Sequence, residues 1–258
     1  MEQSHTESQS TRIAKILIAQ PAPPAGYSPF QRLQDGLGVE LTFRPFIKVE
    51  GVSGFEFRKQ RVDIGRFGGV VFVSKKAIDH FFRICNETRY QVPDAMRYYC
   101  LKDGLGLYLQ KYIVYRKRKV TEIPSGSLEE LVAQLQKSPD DRYLLPLSNV
   151  HKNDIVKTVR AAGLRITKSV MFNTVSADLH DIAPDRFDML VLYTPLDVSA
   201  FAENFPDFPQ GALRIAAFGK ATQRAVKHLG YQMALQVPTP QYKSMTEALE
   251  AYVTQANQ

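Results

Sequence analysis

Short apolar runs separated by amphipathic stretches set the rhythm of this chain. Ile16-Leu17-Ile18, the VVFV before Ser74, Tyr143-Leu144-Leu145, the LVLY before Thr194 and the LRIAAF before Gly219 are each rich in β-branched or aromatic residues. Runs of this length and composition predict buried strands. The stretches between them, such as KKAIDHFF after Ser74 and KATQRAVKHLG after Gly219, space their apolar residues at helical intervals. Strands alternating with helices predict parallel sheets covered on both faces.

The pattern is written twice. GVELTFRPFIKV from Gly38 is answered by GLRITKSVMFNTV from Gly163, each after an amphipathic, helix-like stretch. VVFVSKKAIDHFF around Ser74 is answered by LVLYTPLDVSAF around Thr194. YYCLKDGLGLYLQKYI answers AAFGKATQRAVKHLGY with Lys102 opposite Gly219, and SLEEL from Ser127 answers SMTEAL from Ser244. Such internal similarity predicts a duplicated α/β protein of two similar lobes. In open α/β sheets ligands sit beyond the carboxyl ends of strands. Ser74, Ser148, Thr194 and Gly219 with Thr222 end strands and begin helices, so their helix N-termini are expected to face a shared anion-binding cleft. The GKAT turn lacks the first glycine and the GK[ST] ending of a P-loop, and it is not G-x-G-x-x-G. Taken alone, Thr222 reads as an ordinary first-turn helix residue.

Charge narrows the ligand. The 258 residues carry 33 Lys+Arg against 26 Asp+Glu, a net charge of +7, which favours a polyanionic partner. The densest run, Tyr115-Arg116-Lys117-Arg118-Lys119, reads as a solvated helix end. No RNA-binding aromatic motif or helix-turn-helix accompanies it, so nucleic acid is not the expected partner. No apolar run approaches the ~20 residues of a membrane helix. Residues 1–11 are polar and lack an apolar core, which predicts a disordered tail and no signal peptide. Cys85 and Cys100 lie in apolar contexts and are expected to be buried free thiols, in keeping with a cytoplasmic protein. The five histidines show no ligand spacing, and no metal is expected.

From Arg12 to Val253 the order of blocks resembles the uroporphyrinogen-III synthases. The matching pieces are FVSKKAIDHFF, PLSNVHK, LYTPLDVSAF, IAAFGKAT and VPTPQYKSMTEAL, five weak motifs in the family's order. The resemblance implies two α/β lobes joined by two extended connections, near residues 43–49 and 171–175. One lobe would take 12–45 with 176–258, the other 46–175. It implies as substrate the linear hydroxymethylbilane, closed to uroporphyrinogen III with inversion of its last pyrrole, and no cofactor. The many carboxylates of that substrate suit the basic balance. Hydroxide loss would give an azafulvene that the far pyrrole attacks, through a spiro intermediate, so the protein's main task is to fold the chain and hold its ends together.

The family places an assisting tyrosine on the second connection, where this chain has Phe172. With no phenol there, Thr222 is the candidate hydroxyl to assist departure. Ser74, Ser148, Asn149, Lys152, Thr194, Arg214, Gly219 and Lys220 are the expected substrate contacts. The KDGL segment, Lys102 to Leu105, is read as having lost both the glycine and the threonine of the GxxT turn. The alternative is a catalytically weakened homologue that binds linear tetrapyrroles or another polyanion without turnover. A monomer is the expected state.

Overall fold

The computed structural model describes residues 12–24, 26 and 28–258; the expected tail, 1–11, lies outside them. The chain begins with strands β1 (Lys15–Ile18), β2 (Glu40–Phe43) and β3 (Ile47–Gly51), followed by helix α1 (Gly54–Lys59). It continues through β4 (Gly69–Phe72), α2 (Lys75–Glu87), β5 (Arg97–Cys100), α3 (Leu105–Leu109), β6 (Val120–Glu122) and α4 (Leu128–Leu135). Next come β7 (Arg142–Ser148), α5 (Asp154–Ala161) and the long β8 (Arg165–Ser176). The last third holds β9 (Met189–Leu192), α6 (Pro195–Asn204), β10 (Arg214–Phe218), α7 (Lys220–His228), β11 (Met233–Val237) and α8 (Met245–Ala256).

These elements group into two compact units, the described residues up to Lys48 with Val175–Gln258, and Val49–Thr174. The first is built on a five-stranded sheet of order β11-β10-β9-β1-β2. Its strands pair in parallel, and their alternate residues feed two cores. Met189 and Val191 pack with Leu249 and Val253 of α8, while Leu190 and Leu192 pack with Phe201 of α6 and Val226 of α7. The second unit carries the six-stranded order β3-β8-β7-β4-β5-β6. Here Val70 and Phe72 meet Ile78 and Phe81 of α2, and Val71 meets Leu131 of α4 and Val159 of α5. A strand buried on both faces needs an unbroken apolar run, which is what VVF and LVL supply.

The two sheets repeat one register. Ile16 lies opposite Met189 and Leu41 in the first sheet; Tyr143 lies opposite Gly69 and Ile166 in the second. Leu192 faces Ala217 as Phe72 faces Cys100. Phe72 and Leu192 stand 120 residues apart, as Ser74 and Thr194 do, and Cys100 and Ala217 stand 117 apart, as Lys102 and Gly219 do.

The same local chemistry starts the equivalent helices. Ser74 caps α2 by accepting a hydrogen bond from the Ala77 amide at 3.1 Å. Thr194 caps α6 reciprocally with Asp197, behind Pro195, whose missing N–H has no intrahelical partner to lose. Ser127 and Ser244 cap α4 and α8 in the same way as Ser74.

Three local expectations need correction. Among the described residues between β1 and β2 the helical element is a five-residue π-helical turn, Arg32–Gly36, because Pro21, Pro23, Pro24 and Pro29 deny the residues before it helical hydrogen bonds. The KDGL segment keeps its glycine. Gly104 is the N-cap of α3 with φ 72°, as Gly219 is of α7 with φ 83°, and it follows two extra loop residues. Tyr115–Lys119 is not a helix end; Lys119 N donates to Arg116 O at 2.8 Å in a turn that enters β6.

Candidate active site

The second unit has a cavity of about 570 Å³ at the carboxyl ends of β4, β5, β7 and β8. A sheet of parallel strands leaves its last carbonyls and the first helix amides at this end, so polar residues collect here without breaking the core. Ser74, Ser148, Lys152 and Phe172, four of the expected site residues, line it together. Lys102, His151 and Asp154 join them.

Each side chain arrives with different freedom. The Ser74 hydroxyl accepts from the Ala77 amide, so its proton remains available for a ligand. Ser148 is committed twice, donating to Val150 O at 2.6 Å and accepting from Val150 N at 3.1 Å. It shapes the turn that presents Lys152. His151 donates from Nδ1 to Ser148 O at 2.8 Å and accepts at Nε2 from Lys168 at 3.1 Å, which fixes its ring. Lys102 and Lys152 are exposed at the rim, where two ammonium groups can meet carboxylates.

Phe172 forms an apolar part of the lining. It is 7% exposed and stacks on His80 of α2, with ring centroids 4.9 Å apart and planes 18° from parallel. Burial, with Arg83 and Lys76 nearby, lowers the His80 pKa, and Nδ1 accepts from Arg83 Nε at 3.1 Å. The imidazole is therefore neutral and carries its proton on Nε2. Sequence reasoning passed over His80, because spacing along a helix says nothing about a contact with a strand distant in sequence. Lys102 was read only as the residue opposite Gly219 and not as a contact, and the fold is what brings it to the cavity.

Asn149 does not present its side chain to a ligand. Its amide is taken by the Thr174 backbone, accepting from Thr174 N at 2.8 Å and donating to Thr174 O at 3.3 Å. This replaces ladder bonds where the β7–β8 register slips, between Leu147 and Ser148.

In the first unit, Thr194, Gly219, Lys220 and Thr222 gather at the carboxyl ends of β9 and β10. Gly219 is held open at φ 83° and gives its N–H to Val237 O at 2.6 Å, so this amide is spent inside the protein. Thr222 is 2% exposed and donates its hydroxyl proton to Tyr193 O at 3.0 Å. As a catalytic acid it is corrected: the proton is engaged, and the residue pins α7 to the end of β9. Asp197 is also 2% exposed; burial raises its pKa against the opposing amide bonds from Thr194 and Tyr193.

Arg214 is a second correction. It opens β10 beside Met189, at the amino ends of the strands, and lines a separate cavity of about 220 Å³ with Asp185 and Asp188. Five residues of strand at about 3.3 Å each separate it from Gly219, some 16 Å along the sheet.

Comparison with known proteins gives this geometry a family. The family model for uroporphyrinogen-III synthase HemD matches residues 28–247. No curated protein matches the sequence. Among solved structures, uroporphyrinogen-III synthetase from Helicobacter pylori is similar at TM-score 0.58 and 13% identity, covering 94% of this chain and 100% of that one. A mutant uroporphyrinogen III synthase from the extremely thermophilic bacterium Thermus thermophilus is similar at TM-score 0.50 and 15% identity, over 94% and 99%. With a two-unit parallel α/β fold, a cavity at its strand ends and a family match over most of its length, the chain belongs to the uroporphyrinogen-III synthase HemD family.

Proposed function

We propose that the protein closes linear hydroxymethylbilane to uroporphyrinogen III with inversion of the last pyrrole. The observation that carries this reading is the family match over residues 28–247, joined to a cavity lined by Ser74, Lys152 and Phe172. The substrate supplies the reacting electrons, so the residues need to bind carboxylates, fold the chain and exclude side reactions. Lys102 and Lys152 meet carboxylates at the rim, and the Ser74 hydroxyl donates to one more. Phe172 offers a pyrrole an apolar face. With no phenol at position 172, hydroxide departure is assisted by water. The finer reading is a cytoplasmic monomer acting on this small molecule and not on nucleic acid; two buried free cysteines, their thiols pushed up to about 12 by burial, suit a reducing compartment.

The test is steady-state kinetics of Lys102→Gln and Lys152→Gln at several ionic strengths. Each variant is expected to raise KM severalfold with little change in kcat, and added salt to raise the parent's KM more than the variants'. A KM indifferent to both charges and to salt would remove the rim cations from substrate binding.

A further inference from the structure

A second cavity in the Val49–Thr174 unit has the makings of a binding site and shares no residue with the first. It encloses about 440 Å³, within the usual range for small-molecule pockets. It lies at the amino ends of β5 and β6, opposite the strand ends that hold Ser74 and Ser148.

Three features define what fits there. The first is Tyr98, on β5, which is only 3% exposed yet has no hydrogen-bond partner for its hydroxyl among the described residues. Those residues bury no unsatisfied side-chain nitrogen or oxygen, so the Tyr98 oxygen must open onto the cavity it lines. Burial, and among its neighbours the Asp94 carboxylate, keep the phenol protonated well above neutral pH, so it is a donor awaiting an acceptor. The second is the wall: Phe82 and Tyr112 are stacked at 4.5 Å with planes 4° apart, and Phe82 lies 6.4 Å from Tyr98. The third is the rim, where the basic run of residues 115–119 comes to rest. Arg116 reaches Asp94 at 3.1 Å, and Lys119 pairs with the same carboxylate. Arg118 also acts on Asp94. One lining acid against two lining bases, with Arg118 close enough to act on that acid, leaves the rim positive, and the Lys119 side chain is only 12% exposed.

We propose that this cavity is a second small-molecule site, taking a planar heteroaromatic ring that bears one anionic group. A ring acceptor would take the Tyr98 proton, the aromatic wall would cover the ring plane, and the anion would share Arg116 and Lys119 with Asp94. A free aromatic acid and a nucleoside monophosphate both carry this chemistry.

The full-length protein is titrated by calorimetry with nicotinate, benzoate, nicotinamide and adenosine 5′-monophosphate. Nicotinate is expected to bind more tightly than benzoate, which lacks the ring acceptor, and than nicotinamide, which lacks the charge. Tyr98→Phe is expected to weaken nicotinate roughly two- to tenfold, the value of one hydrogen bond, and to leave benzoate unchanged. Because the hydroxyl has no protein partner, that variant keeps the parent's thermal midpoint. Arg116→Gln weakens both acids, whereas Lys152→Gln, at the other cavity, changes neither. Tighter binding of the nucleotide assigns the anion to a phosphate source; tighter nicotinate assigns it to a free acid. No saturable binding of either probe at millimolar concentration, or equal affinities in parent and Tyr98→Phe, would overturn the proposal.

Discussion

Phe172 and Thr222 show how one atom changes a residue's role. Phe172 lines the cavity with a ring and no proton to give, one of its two faces covered by His80. Phe172→Tyr adds one oxygen to a ring that lines the cavity, and the thermal midpoint is expected to hold. A well-placed acid contributes about 10²–10⁴-fold, and water-assisted departure leaves only part of that to recover. The variant is expected to form isomer III measurably faster in a single-turnover assay; a rate equal to the parent's would show that position 172 does not reach the departing hydroxide. Thr222 carries the opposite lesson. Thr222→Val leaves the part-buried Tyr193 carbonyl without its donor, a loss of about 0.5–1.5 kcal/mol, while Thr222→Ser keeps the bond. Chemical denaturation should separate the two, with specific activity per folded molecule nearly equal. A Thr222→Val variant of full stability and no activity would restore the threonine to the chemistry.

At the scale of elements, α2 and α3 are clamped by one carboxylate. Asp79 accepts from Tyr108 at 2.7 Å and Tyr112 at 2.6 Å, with Lys111 at 3.6 Å. Burial pushes its pKa up, but the two phenols and Lys111 outweigh it and hold the carboxyl below its ordinary value. A depressed acid stabilises the fold above its unfolded pKa, about 3.9, and that share is lost as pH falls through the folded value. Asp79→Asn should therefore lower the thermal midpoint at pH 7, and the gap to the parent should close toward pH 3. A gap that stayed constant with pH would place the effect in packing alone. Elements were also where the sequence was most informative. Apolar runs marked β4 and β9, and Ser74 and Thr194 marked the starts of their helices. Arg214 and Asn149 could not be placed that way. Proximity to a motif does not say which end of a strand a residue occupies, or that its amide is already taken by a backbone across the sheet.

Across the whole chain, the likeness of the two sheets was legible because paired strands must keep register over several residues, and a one-residue slip would turn every side chain to the wrong face. The matching pairs Leu192–Ala217 and Phe72–Cys100 preserve that constraint at low sequence similarity. What the pattern could not reveal is the cavity's membership, since Lys102, His151 and Phe172 come from three segments that only the fold brings together. The net charge of +7 is a property of the whole molecule too, and it is consistent with a polycarboxylate ligand. The central claim, that this chain is a working synthase without the phenol at position 172, is tested most directly by one product analysis. Enzymatically generated hydroxymethylbilane is incubated with the protein, and the porphyrin isomers are separated after oxidation. The account predicts isomer III in clear excess over the isomer I that forms spontaneously. Isomer I alone, at the rate seen without protein, would contradict it.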